Sequence, residues 1–117
     1  MAAWLNQHLP EDTVVLASPA VRAQQTVAAL KRRYATIAAL DTGADCATLL
    51  KAVGRSSASG TTLVVGHQPT LGHVASLLLT GAEGELSIKK GAVWWITTYG
   101  ARKGEGVLRA VMTPEML

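Results

Sequence analysis

The sequence contains no phenylalanine, one cysteine and only five aromatic residues: Trp4, Tyr34, Trp94, Trp95 and Tyr99. A core therefore has to be assembled from Ala, Val and Leu. Cys46 has no second cysteine with which to close a disulfide, which excludes a disulfide-stapled scaffold. It fits a reducing compartment or indifference to redox state. No apolar run approaches the ~18 residues of a membrane-spanning helix, so a membrane partner is not expected. The first residues are no secretory signal, because no cationic stretch leads into a long apolar one. Four prolines and eleven glycines are ordinary counts that exclude a collagen-like or disordered chain. What is present is 117 residues, 49% apolar and 16% charged, the composition of one small cytoplasmic globular domain.

The formal charge is +3 and the cations are spread along the chain, six before residue 60 and five after it. Their one run, Lys31-Arg32-Arg33, falls at the end of an expected helix, where cations complement the negative end of the helix dipole. A nucleic-acid module would add a basic stripe or stacking aromatics beside such a run. Neither is visible, so no nucleic-acid partner is expected.

Residues 1–9 predict a helix stopped by Pro10. Residues 13–17 (TVVLA) predict a short strand. Residues 19–33 predict a helix, with Ser18 placed to cap it and Pro19 at its favoured first position. A weak extended piece at 36–40 follows, then a short helix over 47–53 capped by Asp45 or its neighbour. Residues 54–60 (GRSSASG) predict a surface loop, 61–65 (TTLVV) a buried strand, and 70–79 an apolar helix. Residues 91–98 and 107–112 predict two strands of a hairpin about a polar turn. Trp94 and Trp95 must then point to opposite faces, one into the core and the other over a helix or into solvent. Alternation of this kind predicts an α/β layer fold with a mostly parallel sheet and an antiparallel edge.

Ligands of such sheets collect beyond the carboxyl ends of the strands. Two segments qualify: Ser18-Pro19-Ala20-Val21-Arg22 after the first strand and Gly66-His67 after the third. A helix N-terminus favours phosphate through free amides and its dipole. Arg22, about one turn into the helix, adds bidentate charge-assisted bonds. His67 can neutralise a phosphoryl group or pass a proton. His73 is six residues from His67, too far round a helix to share its face or to form an i, i+4 metal pair. With Cys46 alone as well, no metal site is expected. His8 is expected on an exposed helix face.

Two segments carry a family resemblance. Ser18-Pro-x-x-Arg22-Ala-x-Gln25-Thr26, followed by Val65-Gly66-His67-Gln68-Pro69, resembles the histidine phosphatase superfamily, and the wording VGHQPTLG points to its SixA-like phosphohistidine phosphatase branch. The resemblance covers nearly the whole chain and implies a three-layer phosphoglycerate-mutase-like fold. It implies that Arg22 and His67 are the second Arg-His pair of a four-residue pocket that binds the phosphoryl group and stabilises its transfer, with Ser18 also binding phosphate. Such a reaction needs no cofactor. The other pair comes in the family from an Arg-His-Gly motif ending the first strand, whose His is the nucleophile. SixA-like members generally lack a separate acidic proton donor, and Asp45 is more simply a helix cap.

The sequence contains no Arg-His-Gly and no strand ahead of its first helix. The expectation is therefore a single domain over residues 1–117, N-terminally incomplete. It would be a phosphohistidine phosphatase acting on a phosphorylated signalling or phosphotransfer protein, inactive or impaired as this chain. The alternative is a non-catalytic domain that binds phosphate or a phosphoprotein. A family strand lost from inside the sheet is expected to leave an exposed sheet edge.

Overall fold

A computed structural model describes residues 1–56, 60–99 and 103–117. They form two compact units, Met1–His67 and Gln68–Leu117.

The first unit opens with α1 (Ala2–His8). It ends at Leu9, which turns extended (φ −77°, ψ 136°) because a residue before proline is disfavoured in the helical region. Strands β1 (Val14–Ala17), β2 (Ala35–Thr36) and β3 (Thr62–Val65) form a parallel sheet in the order β2-β1-β3. Central β1 pairs Val14 to Ala17 with Thr62 to Val65 on one side, and Leu16 and Ala17 with Ala35 and Thr36 on the other. Val15, Leu16 and Ala17 are accordingly buried, with Leu16 at 1% exposure. Helix α2 (Val21–Ala28) buries Ala23 and Val27, four residues apart on one face. Leu5, Leu9, Leu30, Leu40, Cys46 and Leu49 are buried as well, so the core is aliphatic. Each large aliphatic side chain so buried contributes about 1.5–3 kcal/mol.

Helix α2 is shorter than expected at both ends. Its N-cap is Ala20, so Pro19 lies ahead of the helix, and Ser18 has another use described below. At the far end Leu30 and Lys31 make tight bonds back to Val27 and Ala28, and Lys31 adopts φ +55°. The cationic run therefore lies past the helix rather than on its last turn, which holds no basic residue. Arg32 is used differently. Its guanidinium donates to Asn6 Oδ1 (2.6 Å) and to the carbonyls of Pro10 (2.9 Å) and Leu9 (3.3 Å). Asn6 in turn donates to the Leu30 carbonyl at 3.0 Å, so the ends of α1 and α2 are tied together.

The extended piece is only β2 followed by a single 3-10 turn, Ala38–Leu40. Helix α3 runs Cys46–Ser56, longer than expected, and passes through Gly54. The loop expected at 54–60 is thus partly helix, and residues 57–59 lie outside those described. Asp45 caps α3, its Oδ1 accepting the Thr48 amide at 2.8 Å. Strand β3 is half-buried along its length instead of buried. Its physical reason is its place at the end of the sheet: among the described residues it pairs with β1 alone.

The second unit holds α4 (Thr70–Thr80) and an antiparallel pair, β4 (Val93–Thr97) and β5 (Val107–Met112), with a register shift between Trp95 and Ile96. The hairpin expectation holds, as a two-stranded sheet separate from the parallel one; residues 100–102 of its turn lie outside those described. Trp94 and Trp95 are both half-buried, so neither is a core residue. Helix α4 stops at Gly81, whose φ of +86° lets its amide reach back to Leu77 at 3.0 Å.

Among the described residues no helix is long and apolar enough to cross a membrane.

Candidate functional site

Strands β1 and β3 run parallel and in register, so their carboxyl ends emerge at one edge of the sheet. The ladder continues one residue further, the Ser18 amide donating to the Val65 carbonyl at 2.9 Å. Immediately beyond, Ser18 and His67 meet. Ser18 Oγ lies 2.7 Å from His67 Nε2 and also accepts the Ala20 amide at 3.1 Å. Ser18 is fully buried, whereas the His67 ring is half-buried. The hydroxyl that the sequence offered as a helix cap thus bridges the start of α2 to the histidine after β3.

Arg22 is the second residue of α2, nearer the helix start than expected, and it is exposed. Its carbonyl accepts Thr26 Oγ1 at 3.0 Å. Among the described residues its guanidinium has no hydrogen-bond or carboxylate partner, and the first turn of α2 carries no acidic residue to occupy it. Arg22 in the first turn of α2 and His67 after the neighbouring strand flank Ser18 in the chain and across the sheet, a corner furnished with donor side chains. Such a corner is suited to a tetrahedral oxyanion.

Three residues that the sequence did not single out support this corner. Gln24 Nε2 donates to the Ser18 carbonyl (2.8 Å) and to Thr36 Oγ1 (3.1 Å), while Tyr34 Oη donates to Gln24 Oε1 (3.3 Å). Gln24 occupies a variable place in the SPxxRAxQT wording, and its partners lie up to twelve positions away. No local pattern announces such a contact.

The remaining polar candidates stand elsewhere. His8 is exposed, stacked on Trp4 with ring centroids 4.4 Å apart, and its Nδ1 lies 2.7 Å from the Trp4 carbonyl. Asp45 is held below the usual carboxylate range by the Thr48 backbone amide, which stabilises its charged form and makes it a poor proton donor. His73 is on α4 of the second unit, in an open cleft of about 370 Å³ with Gln68, Pro69, Glu85, Leu86 and Ser87. There Gln68 spans two segments, accepting the Gly72 amide at 2.7 Å and donating to the Leu86 carbonyl at 2.9 Å. Among the described residues no cluster of three or more His, Cys, Asp or Glu is placed to hold a metal.

Neither a protein-family profile nor a curated relative matches the chain. Solved structures do. One, assigned as the phosphohistidine phosphatase SixA of Nakamurella multipartitia, is 28% identical and superposes with a TM-score of 0.80, covering 97% of this chain and 77% of that one. A second, a protein histidine phosphatase SixA complexed with tungstate, is 23% identical with a TM-score of 0.77, covering 98% of this chain and 77% of that one. Both matches extend across the two units. The parallel sheet and antiparallel pair are those of the SixA, phosphoglycerate-mutase-like fold, as the sequence resemblance implied.

Proposed function

Starting from a fold shared with the SixA phosphohistidine phosphatases, of the histidine phosphatase superfamily, we propose that Arg22 and His67 form the phosphoryl-binding half of a phosphohistidine phosphatase site. Ser18 holds that half together. The observation that carries the reading is the 2.7 Å contact between Ser18 and His67 across the ends of two adjacent parallel strands, with Arg22, unpartnered among the described residues, four positions on. A phosphoryl group in transfer spreads charge over three oxygens, and its stabilisation rests on donors already in place. Arg22 supplies a planar, permanently charged fork and His67 a ring donor. The substrate class is phosphohistidine on a partner protein, and tungstate is a tetrahedral stand-in for the group transferred.

These 117 residues bind the phosphoryl group without turning it over. Covalent transfer needs a histidine nucleophile beside the pocket. Apart from His67, the sequence has only His8, engaged with Trp4, and His73 on α4. The test is to incubate the chain with a phosphohistidine protein and with p-nitrophenyl phosphate while titrating tungstate. Saturable tungstate binding without turnover is the expected result. Steady turnover abolished by His67→Ala contradicts the inactive half-site. Binding of a phosphorylated partner that ignores Arg22→Ala contradicts the pocket.

A further inference from the structure

Ser18 carries a single hydroxyl hydrogen and is fully buried. Its oxygen accepts from the Ala20 amide, a group that can only donate. Among the described residues the one acceptor within reach of that hydrogen is His67 Nε2 at 2.7 Å. Counting donors and acceptors therefore assigns the bond as Oγ–H donating to Nε2, which places the proton of neutral His67 on Nδ1. The reverse arrangement, with Nε2–H donating, leaves a buried hydroxyl hydrogen without an acceptor. This tautomer is opposite to the one an unconstrained imidazole prefers. Nδ1 has no partner among the described residues and is the ring nitrogen open to a ligand.

The carboxamide of Gln24 adds a side-chain hold on Ser18 to the backbone ones, the Val65 carbonyl that accepts its amide and the Ala20 amide that its hydroxyl accepts. A carbonyl oxygen only accepts, so the amide must present Nε2 to the Ser18 carbonyl, as it does at 2.8 Å. The same nitrogen reaches Thr36 Oγ1 of β2, and Oε1 accepts from Tyr34. The residue linking β1 to α2 is thereby anchored to the neighbouring strand. We propose that Gln24 is a positioning residue which, through Ser18, holds His67 in the Nδ1–H form, so that the ring offers an oxyanion a donor even when uncharged. The other tautomer, with Nε2 held by Ser18, presents a lone pair at Nδ1 and repels the anion.

The tautomer half of this inference stands on geometry alone; the anion half rests on the phosphoryl-binding reading, and one experiment separates them. Long-range proton–nitrogen correlation spectra report the His67 tautomer in the ligand-free chain, and tungstate titration reports the pocket. Wild type is expected to show Nδ1–H. Gln24→Ala and the isosteric Gln24→Glu are expected to mix the tautomers and weaken tungstate about tenfold, the scale of one disturbed hydrogen bond. Thr36→Val, which leaves the Ser18 bond in place, is expected to keep the wild-type tautomer. An Nε2–H signal in the wild type overturns the proposal without any variant having to fold. So does a wild-type tautomer and affinity in both Gln24 variants. Mixed tautomers in those variants with no tungstate bound by any protein support the hold of Gln24 on His67 and contradict the anion pocket.

Discussion

Ser18 and His67 lie 49 positions apart and meet at 2.7 Å just past the carboxyl ends of β1 and β3, the serine fully buried and the histidine half-buried. Removing the hydroxyl strands the Ala20 amide and frees the ring. Ser18→Ala is expected to lower stability by about 1–2 kcal/mol, the range for losing a buried hydroxyl's bonds. It should weaken tungstate binding as well. Urea unfolding and calorimetric titration check the two effects separately. A stable variant with unaltered affinity removes Ser18 from the site.

Arg22 answers differently, because among the described residues no hydrogen bond depends on its side chain. Its side chain is exposed and unpartnered among the described residues. Arg22→Ala should leave stability within about 0.5 kcal/mol, the usual range for a surface change. Oxyanion affinity should fall roughly ten- to a hundredfold, as expected for charge-assisted hydrogen bonds. Arg22→Lys should fall between the two, retaining charge while losing the bidentate fork.

Arg32 and Arg33 are neighbours in sequence with opposite expectations. Arg32 ties Asn6, Leu9 and Pro10 to the end of α2, so Arg32→Ala should cost about 1–2 kcal/mol. Arg33 is exposed, and Arg33→Ala should stay within about 0.5 kcal/mol. Parallel thermal melts decide the contrast.

The alternation of strand and helix, and the two strand ends that carry Ser18 and His67, were legible because β-branched runs and Gly or Pro breaks are local signals. The start of α2 was not. Ser18-Pro19 has the form of a cap and first helical residue, yet the hydroxyl is drawn to a histidine that sequence distance hides. Its end has no local signal either: the alanine-rich stretch carries no breaker, yet Lys31 turns at φ +55°. Residues 61–65 look buried by composition. The burial of a strand also depends on its neighbours, and among the described residues β3 pairs with β1 alone. Gln24 had no signal at all, since its partners are set by the pairing of β1 with β2.

Asp45 makes the acid side of the stability profile predictable. The Thr48 amide lowers its folded-state pKa, so its contribution is present above the unfolded value and is lost as pH falls through the folded one. The stability advantage of wild type over Asp45→Ala should therefore be constant near neutrality and shrink as the solution is acidified below the ordinary carboxylate range. An advantage that grows on acidification reverses the sign and contradicts the cap.

Gly72 offers a test in the second unit. A Cβ there would land on the Leu86 carbonyl oxygen, the same atom that accepts from Gln68. Gly72→Ala should cost about 1–3 kcal/mol, as overpacking does. Amide exchange should quicken around residues 85–87, where the displaced segment loses its anchor.

The most direct test of the central claim is tungstate titration of the chain followed by amide and imidazole chemical shifts, with Arg22→Ala and His67→Ala beside it. The account predicts one saturable site whose largest shifts fall on residues 18–22 and 67, and binding weakened about tenfold or more in both variants. Saturable binding that neither variant alters, or shifts confined to other residues, would contradict it.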